Sequence, residues 1–235
     1  MAETRKGWGT FRSVLDVTAT AAIIVAAGVV IYANWPRPRN PKAEPPLPSQ
    51  PVAIETATII GNRAAKIAVI EYSEFQCPFC ARFSRDTEPT LKKRYVETGQ
   101  VLIAFRHLPL EAIHPFARSA AEGAECAAQQ DRFGPMHDLL FSDQKGLSLD
   151  SPLRHAATLG LDLGRYRTCL DSSAGPKVSE DIRGAKELGI SGTPTFLIGV
   201  VQPDGRVRVS ARLTGAKPVG DFEIVLDKLI KEAGQ

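Results

Sequence analysis

The sequence has 235 residues, 43% of them hydrophobic and 23% charged, with a formal net charge of +3. That length suits one or two domains with a sizeable core, and so small a charge argues against a nucleic-acid partner. The basic residues are scattered apart from "KKR" at 92–94, which reads as a solvated helix face.

Residues 1–16 are short and basic. Residues 17–35, "VTATAAIIVAAGVVIYANW", carry no charge. As a helix rising about 1.5 Å per residue they span roughly 29 Å, close to the ~30 Å hydrocarbon core of a bilayer. Tyr32 and Trp35 fall at the far end, where aromatic side chains favour the interface. The expected element is one transmembrane anchor, with a signal peptide cut after 31–33 as the alternative. Residues 36–51 are proline-rich and read as a stiff, extended tether. Residues 52–235 make up the folded domain.

Within it, residues 65–75, "AKIAVIEYSEF", hold an apolar, β-branched run expected to form a buried strand. Residues 81–99 read as a helix kinked at Pro89 and closed by Gly99. Residues 100–110 form a second strand. A helical block is expected over about 113–188, with short helices punctuated by Gly, Pro and Ser. Residues 189–201 give a strand after a turn, "PDG" at 203–205 a hairpin, and "RVRVSARLTG" an edge strand. Phe222, Val225, Leu226, Leu229 and Ile230 share one face of a terminal helix. The order is β–α–β, a helical block, then β–β–α.

"EFQCPFCARF", residues 74–83, places two of the four cysteines where the first major strand meets a helix. A thiol attacks a disulfide only as a thiolate, and a helix N-terminus offers free N–H groups and partial positive charge. Pro78 suits the first helical position. Cys77 is therefore expected to be the acidic, exposed nucleophile. Cys80, one turn later and more buried, would resolve the mixed disulfide.

"VIEYSEFQCPFCARF" together with "SGTPTF" resembles the thioredoxin superfamily, specifically its DsbA-like branch, over roughly residues 52–233. The resemblance implies an α/β thioredoxin-like fold with the helical block as an insertion. It implies a cis Thr193–Pro194 peptide lying against the redox pair, with Pro78, Phe79, Thr193 and Pro194 facing substrate. It also implies that Glu71, six residues before Cys77, is a buried carboxyl that moves the proton Cys80 gains or loses. Glu74 competes for that role but is placed on a loop nearer solvent. The best-known member of the branch has histidine where this chain has Phe79, so a less acidic Cys77 and a weaker oxidant are expected here.

Cys126 and Cys169 lie 43 residues apart in the helical block. They are either two unrelated buried thiols or a structural disulfide, which some DsbA-like proteins resemble this chain in carrying. A permanent disulfide needs an oxidising compartment. A zinc site using all four cysteines lacks the second close-spaced ligand pair such sites use, so no metal is expected. His107, His114, His137 and His155 show no metal spacing and receive no catalytic role, with His114 placed at a helix start or the surface. No nucleotide motif appears and no cofactor is expected.

The expected function is a thiol–disulfide oxidoreductase, most simply a dithiol oxidase. Its partners would be cysteine-containing secreted or membrane proteins, a membrane redox partner and the bilayer itself. The chain would be a single-pass inner-membrane protein with its catalytic domain in the periplasm or its equivalent. The alternatives are a reductase or isomerase of the same fold, or a tethered chaperone whose cysteines are structural.

Overall fold

The computed structural model describes residues 24–30, 32 and 45–234. The chain divides into two units, residues 1–44 and 45–235. In the first, residues 24–30 and 32 are helical. Most of the anchor expected over 17–35, and the segments 1–16 and 36–44, lie outside the described residues. Among the described residues no helix is long and apolar enough to cross a membrane.

The second unit is built on a five-stranded sheet of order β1-β3-β2-β4-β5. Strand β1 is Thr58–Ile60, β2 is Ile67–Ser73, β3 is Val101–His107, β4 is Thr195–Val201 and β5 is Val207–Thr214. β2 and β3 run parallel; β1 on β3, β4 on β2 and β5 on β4 are antiparallel. Every residue of β2 and β3 is buried because both sheet faces are covered. Ile70, Tyr72, Leu102 and Ala104 face one apolar cluster, and Ile67, Val69, Val101 and Ile103 face another. At the bulge between Ile198 and Gly199 a Cβ on Gly199 would lie 2.1 Å from the Arg208 carbonyl oxygen, so only glycine fits.

Strand β1 was not anticipated. It is three residues long, gives no alternation to read, and exists through its pairing with β3. The tether also ends earlier than expected. The Pro45 carbonyl accepts a 3.0 Å bond from Arg212, so residues 45–51 lie on the domain.

The helix after the cysteines is α1, Pro78–Asp86, followed by α2, Glu88–Leu91, and a π-helical turn, Lys92–Val96. The break falls at Thr87, two residues before Pro89, whose ring cannot accommodate a continuous helix. α1 is fixed to the sheet by Phe83, whose ring centroid lies 4.4 Å from that of Phe196 and 5.5 Å from that of Phe222. Phe222 belongs to the terminal helix α8, Val219–Ala233.

The insertion holds α3 (Ala117–Ala128), α4 (Phe133–Ser142), α5 (Ser151–Thr158), α6 (Leu163–Cys169) and α7 (Gly175–Glu187); α8 is Val219–Ala233. Small side chains let these helices approach closely. A Cβ on Gly123 of α3 would lie 2.3 Å from Pro152, and the Tyr166 hydroxyl donates to the Gly123 carbonyl at 2.9 Å. Cys126 of α3 and Cys169 of α6 are joined by a disulfide.

Candidate active site

The site forms where β2 ends. Antiparallel pairing sets Thr195 opposite Tyr72, which brings Thr193 and Pro194 beside the 74–77 loop. The Thr193–Pro194 peptide is cis. Cys77 is the N-cap of α1 in extended backbone, with Pro78 in the first turn. Cys77 and Cys80 are both free thiols. Their burial corrects one expectation: Cys77 is only 3% exposed, against 0% for Cys80, so Phe79, at 53%, is the exposed member of the motif.

Electrostatics separates the two sulfurs. The Cys77 pKa is lowered from 9.0 to about 5. The largest cause is the hydrogen bond from the Cys80 thiol; burial opposes it, and the Thr193 side chain and the Cys80 and Phe79 amides reinforce it. The Thr193 hydroxyl is buried with no hydrogen-bond partner among the described residues, which leaves it available to turn toward a Cys77 thiolate. In its protonated form Cys77 donates instead to the Thr193 carbonyl, 3.5 Å away. Cys80 moves in the opposite direction. Burial pushes its thiol well above 9.0, and the hydrogen bond to Cys77 and the thiolate charge push the same way.

Beneath the pair, Glu71 is 1% exposed and its Oε2 has no hydrogen-bond partner among the described residues. Burial raises its pKa from 4.5 to about 8; Glu88 raises it further, while Ser73 and Lys92 pull it down. Ser73 lies between Glu71 and Cys80 and lowers the pKa of both, but its buried hydroxyl has no hydrogen-bond partner among the described residues. Glu88 is buried as well, with its Oε1 2.9 Å from the Lys92 ammonium. Lys92 therefore serves an internal carboxylate, unlike its neighbours Lys93 and Arg94, which are exposed.

Three features of the site were absent from the sequence-based expectation. Glu74, expected near solvent, is fully buried, and its Oε1 contacts His114 Nδ1. Gln144, in the insertion, donates to the Phe75 and Cys77 carbonyls at 2.7 and 3.0 Å. The Arg82 guanidinium sits 5.2 Å from the Phe79 ring centroid and sets a fixed positive charge on the exposed side of the motif. Among the described residues no cluster of His, Cys, Asp or Glu could hold a metal ion.

The profile of the family described as Thioredoxin matches residues 53–211. The chain belongs to the thioredoxin family, in its DsbA-like branch. It resembles α-DsbA1 of Wolbachia pipientis at 26% identity and TM-score 0.68, over 77% of this chain and 94% of that one. Pseudomonas aeruginosa DsbA2 matches at 25% identity and TM-score 0.59, over 80% and 97%. Oxidised BdbD of Bacillus subtilis shares the fold at 19% identity and TM-score 0.67, over 80% and 100%. Among curated proteins, an Na(+)/H(+) antiporter, NhaA 3 of Salinispora tropica, is 38% identical over 162 residues, 68% of this chain and 24% of the relative. The chain thus spans about a quarter of that relative's length.

Proposed function

We propose that this chain is a protein thiol–disulfide oxidoreductase whose reactive pair is Cys77–Cys80, running as a dithiol oxidase. The observation that carries this is the separation of the two thiols, with Cys77 near 5 and Cys80 far above it. A stabilised thiolate favours the reduced pair and so makes the disulfide an oxidant. In the forward reaction a substrate thiolate attacks Cys77 Sγ of the disulfide. The Cys77–Cys80 bond breaks, and Cys80 leaves with the electron pair and takes a proton delivered from Glu71. A second substrate thiol, deprotonated, attacks the substrate sulfur of the mixed disulfide, and Cys77 leaves as a thiolate. The substrate loses two electrons and two protons, and the pair is reduced.

Pro78, Phe79, Thr193 and Pro194 frame the substrate-facing edge. A membrane redox partner would reoxidise the pair, and substrates would be cysteine-containing secreted or membrane proteins. The Cys126–Cys169 bond fits an extracytoplasmic compartment such as the periplasm. A reductase or isomerase is the same-fold alternative, with Cys77 attacking substrate disulfides. Cys80→Ser should trap mixed disulfides through Cys77 and Cys77→Ser should trap none; equal trapping by both would refute the assignment. A reduction potential near or below that of the glutathione pool would favour the reductase. Residues 17–35 carry the anchoring proposal: the mature chain should resist alkaline carbonate extraction, and a mature N-terminus near Asn34 would show a cleaved leader instead.

A further inference from the structure

Glu74 lies three residues before the reactive thiol and just beyond the end of β2. Its Oε2 accepts the Gln76 N–H at 2.7 Å, and its Oε1 faces His114 Nδ1. His114 comes from the segment between β3 and α3. Two residues later, the Phe116 N–H donates to Gln76 Oε1. The run 74–76 is thereby stitched to 114–116 at two points, and Gln144 fixes the carbonyls of Phe75 and Cys77 from the other side.

A glutamine could accept the Gln76 N–H equally well. A buried carboxylate costs several kcal/mol in desolvation unless it is paired. Two other buried acids have a permanent cation, Asp181 with Arg106 and Lys177 and Glu88 with Lys92, while Glu71 has no ion-pair partner among the described residues. Among the described residues the ion-pair partner of Glu74 is His114, an imidazole that is a cation only when protonated.

We propose that Glu74 and His114 are a positioning pair that links the redox poise of Cys77 to pH. With one proton shared between them the pair is neutral and the Cys77 thiolate is unopposed. When that proton leaves, a carboxylate faces the thiolate across the same short loop. The inference deepens the oxidoreductase reading and rests on it.

The surrounding charges agree with this coupling. Burial raises the Glu74 pKa from 4.5 to about 7; the Gln76 amide and His114 lower it, and the Cys77 charge raises it. The Glu74 backbone N–H faces the Cys80 sulfur, whose thiol stays protonated through neutral pH. Glu71, on β2, titrates separately under the influence of Glu88 and Lys92. Oxidation to the disulfide removes the Cys77 charge, so Glu74 must bind its proton more weakly in the oxidised chain. Between its two pKa values, reduction takes up an additional proton at Glu74.

The test is the glutathione equilibrium of the full chain from pH 5.5 to 8.5, for wild type, Glu74→Gln and His114→Asn. Wild type should show, just below pH 7, an interval with up to an extra tenfold change in the redox equilibrium constant per pH unit. That equals about 30 mV for a two-electron couple. Glu74→Gln should erase this interval and make the disulfide a stronger oxidant above pH 7. His114→Asn should move the interval to higher pH, because His114 holds the Glu74 pKa down. Glu74→Asp should restore part of it. A Glu74→Gln curve that superimposes on wild type would overturn the proposal. If that variant does not fold, an unmoved curve for His114→Asn does the same. A wild type inert to glutathione would instead refute the oxidoreductase reading; thiolate absorbance of Cys77 against pH then still shows whether Glu74→Gln and His114→Asn shift its ionisation.

Discussion

At the scale of single residues, the site is a contest over where one negative charge sits. Cys77 wins it because an unpaired helix terminus, the Cys80 thiol and the Thr193 side chain all donate toward one sulfur. Phe79 contributes no donor, but Arg82 stacked on its ring supplies a cation at the rim. Phe79→His should place a donor or a second positive charge in the first turn of α1, lower the Cys77 pKa further and raise the reduction potential. A tenfold shift in the equilibrium constant corresponds to about 30 mV, so glutathione equilibration resolves even a modest effect. An unchanged or more negative potential would show that the helix terminus and Arg82 already saturate the site. The cysteine pair and Pro194 were legible from short motifs. Glu74, His114 and Gln144 were not, because they meet the Cys77 loop across separations of about 40 and 67 residues, where periodicity says nothing. The one local clue was the cost of an acid three residues before a nucleophile, which reads as solvent exposure unless a partner can be foreseen.

At the scale of elements, the insertion is what makes the site complete. It supplies Gln144 to the Cys77 loop, and its segment before α3 supplies His114 to Glu74. Its own rigidity rests on small side chains, the Tyr166 hydroxyl between α3 and α5, and the Cys126–Cys169 bond. The bond spans a sequence separation of 43, and closing such a loop stabilises by about 4 kcal/mol in the chain-entropy model. The double variant Cys126→Ala, Cys169→Ala should therefore lose about 2–4 kcal/mol in urea unfolding while Cys77 keeps most of its reactivity. A double variant as stable as wild type would show that packing alone holds α3 to α6. β2, β3 and α8 were readable because each carries a long, periodic or continuous apolar pattern. β1 and the break at Thr87 were harder to read, since a three-residue edge strand depends on its partner and Pro89 marks a kink without fixing where it falls.

At the scale of the whole molecule, the proposed redox chemistry and the stability of the fold would be linked through the same protons. Glu71 keeps its proton to about pH 8 in the folded chain, against 4.5 ordinarily, chiefly because burial disfavours its charge. Between those values the unfolded chain has lost a proton that the folded chain retains, so stability falls as pH rises. The slope for one such group approaches 1.4 kcal/mol per pH unit. Cys77 acts with the opposite sign in the reduced chain: its folded pKa of about 5 lies below 9.0, so its contribution is full at high pH and is lost as pH falls through 5. The oxidised chain has no Cys77 thiol, which leaves the buried carboxyls Glu71 and Glu74 visible, Glu71 to the higher pH. Oxidised wild type should thus lose stability in urea between pH 5.5 and 8, and oxidised Glu71→Gln should show a flatter profile over that window. Reduced wild type should be about as flat as oxidised Glu71→Gln, because thiolate stabilisation offsets the carboxyl over this window. Parallel slopes for oxidised wild type and oxidised Glu71→Gln would mean that Glu71 ionises normally in the folded chain, and would remove it as the group that delivers a proton to Cys80.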